Sequence, residues 1–79
     1  MLALLILLQT VYVSNEELNV VHVIDGRTLK ESRRIEIGSG PRGMALSPDG
    51  RTLYVAVSRD NRIAAVDSAS GKVIGHIPS

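Results

Sequence analysis

Residues 43–57 read Gly-Met-Ala-Leu-Ser-Pro-Asp-Gly-Arg-Thr-Leu-Tyr-Val-Ala-Val, and this stretch predicts a strand, a tight turn and a second strand. At its centre, Pro48 fixes φ, Asp49 can hydrogen-bond its own backbone and Gly50 tolerates a positive φ. The residues on both sides of this turn are mostly apolar and have high β-propensity. We therefore interpret the rest of the chain as copies or continuations of this hairpin.

Size and composition place the chain among small globular proteins. It has 79 residues, enough for one small domain of marginal stability, and a hydrophobic fraction of 44% argues against disorder. A net charge of +1 provides no long-range field for nucleic acid or an anionic membrane. The absence of cysteine excludes a disulfide framework, a thiolate metal site and a cysteine nucleophile. We expect no nucleic-acid partner.

The chain begins with a leucine-rich segment, Met1–Leu8. It is far shorter than the ~20 residues that a helix needs to span a bilayer, so we expect no membrane span. No Lys or Arg precedes it, and no small-residue cleavage motif follows before Tyr12, which weakens its interpretation as a secretory signal. An apolar strand or terminal segment is favoured; a signal peptide and a chain start at a non-natural point are the alternatives.

The rest of the chain alternates short apolar runs with turns and contains no capped segment of helical period. This pattern predicts an all-β protein. The expected strands are Val11–Asn15, Val20–Asp25, Glu31–Ile37, Met44–Leu46, Leu53–Val57, Arg62–Asp67 and Lys72–Ile77.

An internal repeat relates the two halves of the chain at an offset of 42 residues: Tyr12 falls on Tyr54, and Asp25 on Asp67. A period near 40 with four strands per unit is typical of a β-propeller blade. The sequence therefore predicts two four-stranded antiparallel blades, an incomplete propeller. Residues 1–37 are the first blade, with a degenerate N-terminal strand. Residues 38–79 are the second, with an inter-blade connector at 38–43.

Residues 40–57 resemble the YVTN family of β-propeller repeats, which is named for a Tyr-Val-Thr-Asn strand. That strand corresponds to Tyr12–Asn15 in the first copy and to Tyr54–Val57 in the second. The resemblance covers residues 10–79, and lactonase-type and nitrite-reductase-type propellers share much of the pattern. It implies a protein of several blades, of which this chain holds fewer than two, and an extracytoplasmic location in the periplasm or the surface layer.

The residues with the best claim to contact a ligand are Arg42, Arg59 and Asp60. In a propeller, the loop that carries Arg59 and Asp60 lies on the same face as the 38–43 connector, and ligands usually bind on that face. A solvated loop is the competing interpretation.

Other polar residues are assigned to turns. Asp25 and Asp67 each end a strand, where a carboxylate can accept hydrogen bonds from backbone N–H groups one or two residues further on. The complete set of predicted turn residues is Asp25, Pro48, Asp49, Gly50, Asp67 and Gly71.

No catalytic, metal or cofactor site is predicted. Residues 38–43 match Gly-x-Gly-x-x-Gly, but Pro48 and Gly50 follow too soon for the helix that a dinucleotide site requires. His22 lies in an apolar strand, where a packed or hydrogen-bonded imidazole is the expected role. Neither a nucleophile–base pairing nor a ligand cluster is recognisable.

The sequence thus favours a non-catalytic propeller module for binding or for structural, surface scaffolding. The alternative is a fragment of a lactonase-like or nitrite-reductase-like enzyme, or of an enzyme subunit, whose catalytic residues lie outside this chain. A third interpretation is an independent scaffold that self-assembles. Two blades would leave an apolar face uncovered on each outer side, so we expect protein partners, either further blades or copies of this chain.

Overall fold

The computed structural model describes residues 10–78, which form β-strands and one short 3-10 helix, Ser58–Asp60. The predicted all-β class is therefore confirmed. The strands are β1 (Thr10–Asn15), β2 (Val20–Asp25), β3 (Glu31–Glu36), β4 (Pro41–Leu46), β5 (Thr52–Val57), β6 (Arg62–Asp67) and β7 (Lys72–Pro78).

The strands form two antiparallel sheets, each with its strands in chain order. The first sheet is β1-β2-β3 and the second is β4-β5-β6-β7. Such meanders are the blade unit of a β-propeller, and the described residues hold fewer blades than the four to eight of a closed propeller. The fourth strand predicted for the first blade precedes Thr10 and lies outside the described residues.

The repeat of 42 residues extends to the pairing register of the two sheets. Tyr12 pairs with Val23, and its counterpart Tyr54 pairs with Ala65. Each sheet also has a register shift at the same place, between Val23 and Ile24 in the first and between Ala65 and Val66 in the second. The two sheets are therefore copies of one structural unit.

The core is the interface between the two sheets. β-Branched residues dominate it, because they suit a pleated surface that is packed on one side. The buried cluster consists of Val21, Val23, Ile35, Ile37, Leu53, Val55, Val57, Ala64 and Val66, with Tyr12 and Met44 packed against it.

The opposite face of each sheet points away from this core, since successive side chains of a strand alternate between faces. The outer face of the first sheet consists of Val11, Val13, Asn15, Val20, His22, Ile24, Glu31, Arg34 and Glu36. The outer face of the second sheet includes Ala45, Tyr54, Ala56, Ile63, Ala65, Gly75 and Ile77, with Thr52 and Asp67 at its turn end.

The connector between the blades is shorter than the predicted 38–43, because β4 begins at Pro41 rather than at Met44. Pro41 is paired with Val57, and the register then shifts before Met44. Since β4 is an edge strand, a proline without an N–H group is tolerated there. The turn residues of this segment suggested a longer loop, which was wrong.

The structure bears on one further expectation. Within residues 10–78, no helix has the length and apolar character needed to cross a membrane.

Candidate functional site

Three connecting segments meet at one end of the two sheets, and they contain all three predicted ligand-contact residues. The segments are the β1–β2 loop (16–19), the inter-blade connector (37–40) and the 3-10 helix after β5. They come together because β1 and β5 end where β2, β4 and β6 begin. We call this place the junction.

Arg59 and Asp60 lie at the centre of the junction and hydrogen-bond to its other segments. The Oδ2 atom of Asp60 accepts a hydrogen bond from the backbone N–H of Ser39, at 2.9 Å. The Nε atom of Arg59 donates to Oγ of Ser39 at 3.2 Å, and its Nη2 atom donates to the carbonyl of Glu16 at 2.8 Å. Both side chains therefore tie the 3-10 helix to the connector, and Arg59 also ties it to the first blade.

Arg42 lies at the start of β4 and reaches the same loop of the first blade. Its Nε atom donates to Oε2 of Glu16 at 2.9 Å, and both side chains are at least half exposed. The structure thus brings Arg42, Arg59 and Asp60 to one surface, where each makes a bond that joins segments of the protein. Their contact with a ligand stays a prediction.

Two further junction residues, Asn19 and Ser58, were not singled out from the sequence. The side-chain oxygen of Asn19 accepts a hydrogen bond from the backbone N–H of Gly40 at 3.1 Å. The hydroxyl of Ser58 donates to the carbonyl of Gly40 at 2.9 Å. Asn19 and its repeat counterpart Asn61 both have positive φ, at 59° and 53°. Asparagine at both repeat positions was the sequence signal for this left-handed turn.

The Gly-x-Gly-x-x-Gly stretch leads into strand β4 and not into a helix, so it lacks the structural context of a dinucleotide site. Its glycines serve the junction instead. Gly38 and Gly40 have φ of +112° and +72°, which disfavour a side chain. A Cβ atom on Gly40 would lie 2.9 Å from Nε of Arg59.

The predicted turn residues lie mostly at the opposite end of the second sheet. Asp49 accepts hydrogen bonds from the hydroxyl of Ser47 and from the backbone N–H of Arg51, and both lower its pKa. The Ser70 hydroxyl, followed by the Ser70 N–H, likewise lowers the pKa of Asp67.

In the first sheet, Oδ1 of Asp25 accepts from the backbone N–H of Arg27 at 2.8 Å. Gly50 and Gly71 both have a φ of +73°. Pro48 is exposed in the turn that leads from β4 to β5.

We expect acid to destabilise the fold through these turn carboxylates. Their folded-state pKa values lie below the unfolded values near 4, so the stabilisation is complete above pH 4 to 5 and is lost as the pH falls through the folded pKa. Asp67→Asn keeps an acceptor oxygen without the titration. Its urea midpoint should therefore fall less between pH 5 and pH 2.5 than that of the wild type, and equal slopes would contradict this assignment.

Gly50→Val should destabilise the protein more than Gly26→Val. Gly50 requires a positive φ, where a β-branched residue costs about 1–3 kcal/mol, whereas Gly26 is not among the glycines with positive φ. Space plays no part at Gly50, because an added Cβ would meet no atom within 4 Å. Urea denaturation compares the two variants, and equal losses of midpoint would refute the backbone explanation.

His22 is part of a polar cluster on the outer face of the first sheet. Nδ2 of Asn15 lies 3.1 Å from Nε2 of His22, and Nδ1 of His22 contacts Oε1 of Glu31. Arg34 donates from Nε to both oxygens of Glu31, at 3.1 and 3.0 Å. Hydrogen bonds from His22 and then from Arg34 lower the pKa of Glu31. We call these four residues the polar quartet.

The outer face of the second sheet has the opposite character. A shallow groove of about 280 Å³ crosses it, lined by Gly43, Met44, Ala45, Tyr54, Ala56 and Ile63. Tyr54 and Ile77 remain 37% and 47% exposed on this face. The described part of the chain contains no group of three His, Asp or Glu side chains that could hold a metal ion.

Comparison with known proteins identifies a similar structure but no family. No protein-family model matches the chain, and no curated protein matches it either. Hydrazine synthase from Kuenenia stuttgartiensis has a similar structure, with a TM-score of 0.85 and 29% sequence identity. The match covers 87% of this chain and 20% of the hydrazine synthase chain, so this chain spans about one fifth of the length of the protein that it resembles.

Proposed function

We propose that this chain is a non-catalytic β-propeller module of the YVTN type, which binds protein through the outer face of its second sheet. In this role the two blades are a structural or binding scaffold, and the natural partner is a further blade. The resemblance to the YVTN repeat also supports a location outside the cytoplasm, which cell fractionation would test.

The proposal rests on one observation: the outer face of the second sheet is the repeat counterpart of the core face of the first sheet. The outer face of the second sheet carries Tyr54, Ile63 and Ala65 at the repeat positions of Tyr12, Val21 and Val23. In the first sheet, this face packs against the second sheet and forms the core. In the second sheet, the same face meets no other described element and is open.

The open face is also at least as apolar as its packed counterpart. Ala56 replaces Ser14, and Gly75 replaces Arg33 at the same repeat positions. Each 100 Å² of apolar surface removed from water contributes about 2.5 kcal/mol, so covering this face would stabilise a small domain substantially. A contiguous exposed apolar surface of this kind is typical of a protein-interaction site.

Substitution of a charge into this face tests the proposal. A glutamate at position 63 would interrupt the apolar surface without touching the core, so Ile63→Glu should reduce the fluorescence of a bound hydrophobic dye by about two-fold. Val13→Glu is the matched control, because Val13 is 43% exposed on the outer face of the first sheet. Equal dye fluorescence in the wild type and Ile63→Glu, with both proteins folded, would contradict the proposal.

The similarity to hydrazine synthase favours a second candidate function. In that case the two blades belong to an enzyme or an enzyme subunit, and the catalytic groups lie outside this chain. Both candidates lead to the same expectation for this chain, which is no hydrolase or redox turnover. Turnover on lactone or ester substrates that His22→Ala abolishes would contradict both. Restored activity on adding this chain to an enzyme that lacks the corresponding blades would favour the second.

A further inference from the structure

We infer that blade docking is directional: the outer face of the second sheet accepts a blade, whereas the polar quartet closes the outer face of the first sheet to a second copy of this chain. This inference rests on the proposed function. Its occupant is a blade of another sequence that presents branched aliphatic side chains like those of Leu53, Val55 and Val66.

The inference starts from a difference between equivalent positions of the two sheets. The face of the second sheet that packs in the core carries Val57 and Ala64, which are buried, and Val73 and His76 on strand β7, which are exposed. At the same repeat positions, the outer face of the first sheet carries the polar quartet, Asn15, His22, Glu31 and Arg34. The outer face of the first sheet therefore keeps aliphatic residues, Val11, Val13 and Ile24, at the positions of Leu53, Val55 and Val66, but it carries the polar Asn15 and His22 where Val57 and Ala64 are buried in the core.

The quartet is held together by its own hydrogen bonds. Oδ1 of Asn15 accepts from the backbone N–H groups of Glu17 and Leu18, which fixes the direction of its amide. Its Nδ2 group is then the donor to Nε2 of His22, and Nδ1 on the other side of the ring bonds Oε1 of Glu31. With Glu31 also bonded to Arg34, the cluster cannot turn away without breaking these bonds.

The core interface shows what a second copy would meet on this face. In the core, Ala64 of the second sheet packs in a cluster with Val21, Val23 and Ile35. A second copy docked in the same way would bring Ile63, Ala65 and Ile77 against His22, which lies where the second sheet has the buried Ala64. These apolar residues offer the His22 imidazole no hydrogen-bond partner, and burying a polar side chain without a matching partner is unfavourable.

The polar side chains on the outer face of the first sheet do not match the apolar outer face of the second sheet, and this mismatch opposes head-to-tail growth of identical copies. The open face of the second sheet carries no such polar cluster. It is the repeat counterpart of the first-sheet face that packs in the core, so we expect it to bind a surface like the one that the second sheet presents there.

Replacing part of the quartet by its second-sheet counterparts tests the inference. The triple variant His22→Ala/Glu31→Val/Arg34→His copies Ala64, Val73 and His76 onto the first sheet and leaves the turn-forming Asn15 intact. A blade probe, which is the triple variant with Ile63→Glu added, presents the altered outer face of the first sheet, while the glutamate blocks the outer face of its own second sheet. Circular dichroism and thermal melting establish that both variants are folded. If the triple variant does not fold, the pair His22→Ala/Glu31→Val replaces it.

Analytical ultracentrifugation at micromolar concentrations gives the result. We expect the wild type to sediment as a monomer, the triple variant to form concentration-dependent oligomers, and the blade probe to form a 1:1 complex with the wild type. The complex should be at least about ten-fold tighter than any wild-type association. Oligomers of the wild type that Ile63→Glu abolishes would overturn the inference, because a second copy would then be the occupant.

Failure of the blade probe to bind the wild type would also overturn the inference. If Ile63→Glu nevertheless reduces the fluorescence of the bound dye, the proposed function stands and only the directional inference fails. If Ile63→Glu leaves the dye fluorescence unchanged as well, the proposed function also fails. Binding that appears only after Leu5→Asp in the wild type would show that the leucine-rich N-terminal segment occupies the face instead.

Discussion

Replacing Leu53 with alanine should lower the free energy of unfolding by about 2–5 kcal/mol, the largest single effect that we expect in this chain. Leu53 is 2% exposed and belongs to the cluster that joins the two sheets. Alanine would remove most of a buried side chain from the core, and a rigid sheet interface cannot collapse fully around the cavity.

The measurement is the urea midpoint, with Leu18→Ala as the matched control. Leu18 is 56% exposed in the β1–β2 loop, so its truncation should change stability by less than about 0.5 kcal/mol. Similar decreases of the urea midpoint in the two leucine variants would show that the sheets do not pack through β5 in solution.

Gly38→Ala should destabilise the protein by about 1–3 kcal/mol, because a φ of +112° lies outside the region that residues with a side chain readily adopt. A Cβ atom there would also lie 2.8 Å from Oδ2 of Asp60 and 3.0 Å from Cγ1 of Val57. Asp60 would have to move, and its hydrogen bond to the N–H of Ser39 would be lost.

Gly43→Ala provides the control, since Gly43 has no positive φ and an added Cβ would meet nothing within 4 Å. Thermal melting of the two alanine variants should therefore separate them clearly. A melting temperature for Gly38→Ala equal to that of Gly43→Ala would contradict the view that the connector is locked at the junction.

The strands and the repeat could be predicted from the sequence because their signals are local. Turn residues such as Gly50 and Gly71 mark strand ends, and the offset that relates Tyr12 to Tyr54 needs no tertiary information. The start of β4 could not be predicted in this way. Pro41 reads as a loop residue, and its place in the sheet depends on the partner strand that ends at Val57.

The junction and the polar quartet were harder to predict for the same reason. Asp60 bonds Ser39 and Arg59 bonds Glu16, contacts that exist only once the two sheets pack. The predicted ligand-contact residues were chosen for their place on one face, and no local pattern indicates that Arg59 and Asp60 bond the connector and the first blade. His22 and Arg34 become neighbours only through the register of β2 and β3.

The central claim is that the outer face of the second sheet is the blade-binding surface, and isoleucine methyl NMR tests it most directly. Wild-type chain labelled at Ile δ1 methyl groups is titrated with the blade probe. Ile63 and Ile77 lie on the proposed binding face, Ile24 lies on the outer face of the first sheet, and Ile35 is in the core. We predict chemical-shift changes at Ile63 and Ile77, with Ile24 unchanged. Changes at Ile24 without changes at Ile63 and Ile77 would contradict the claim.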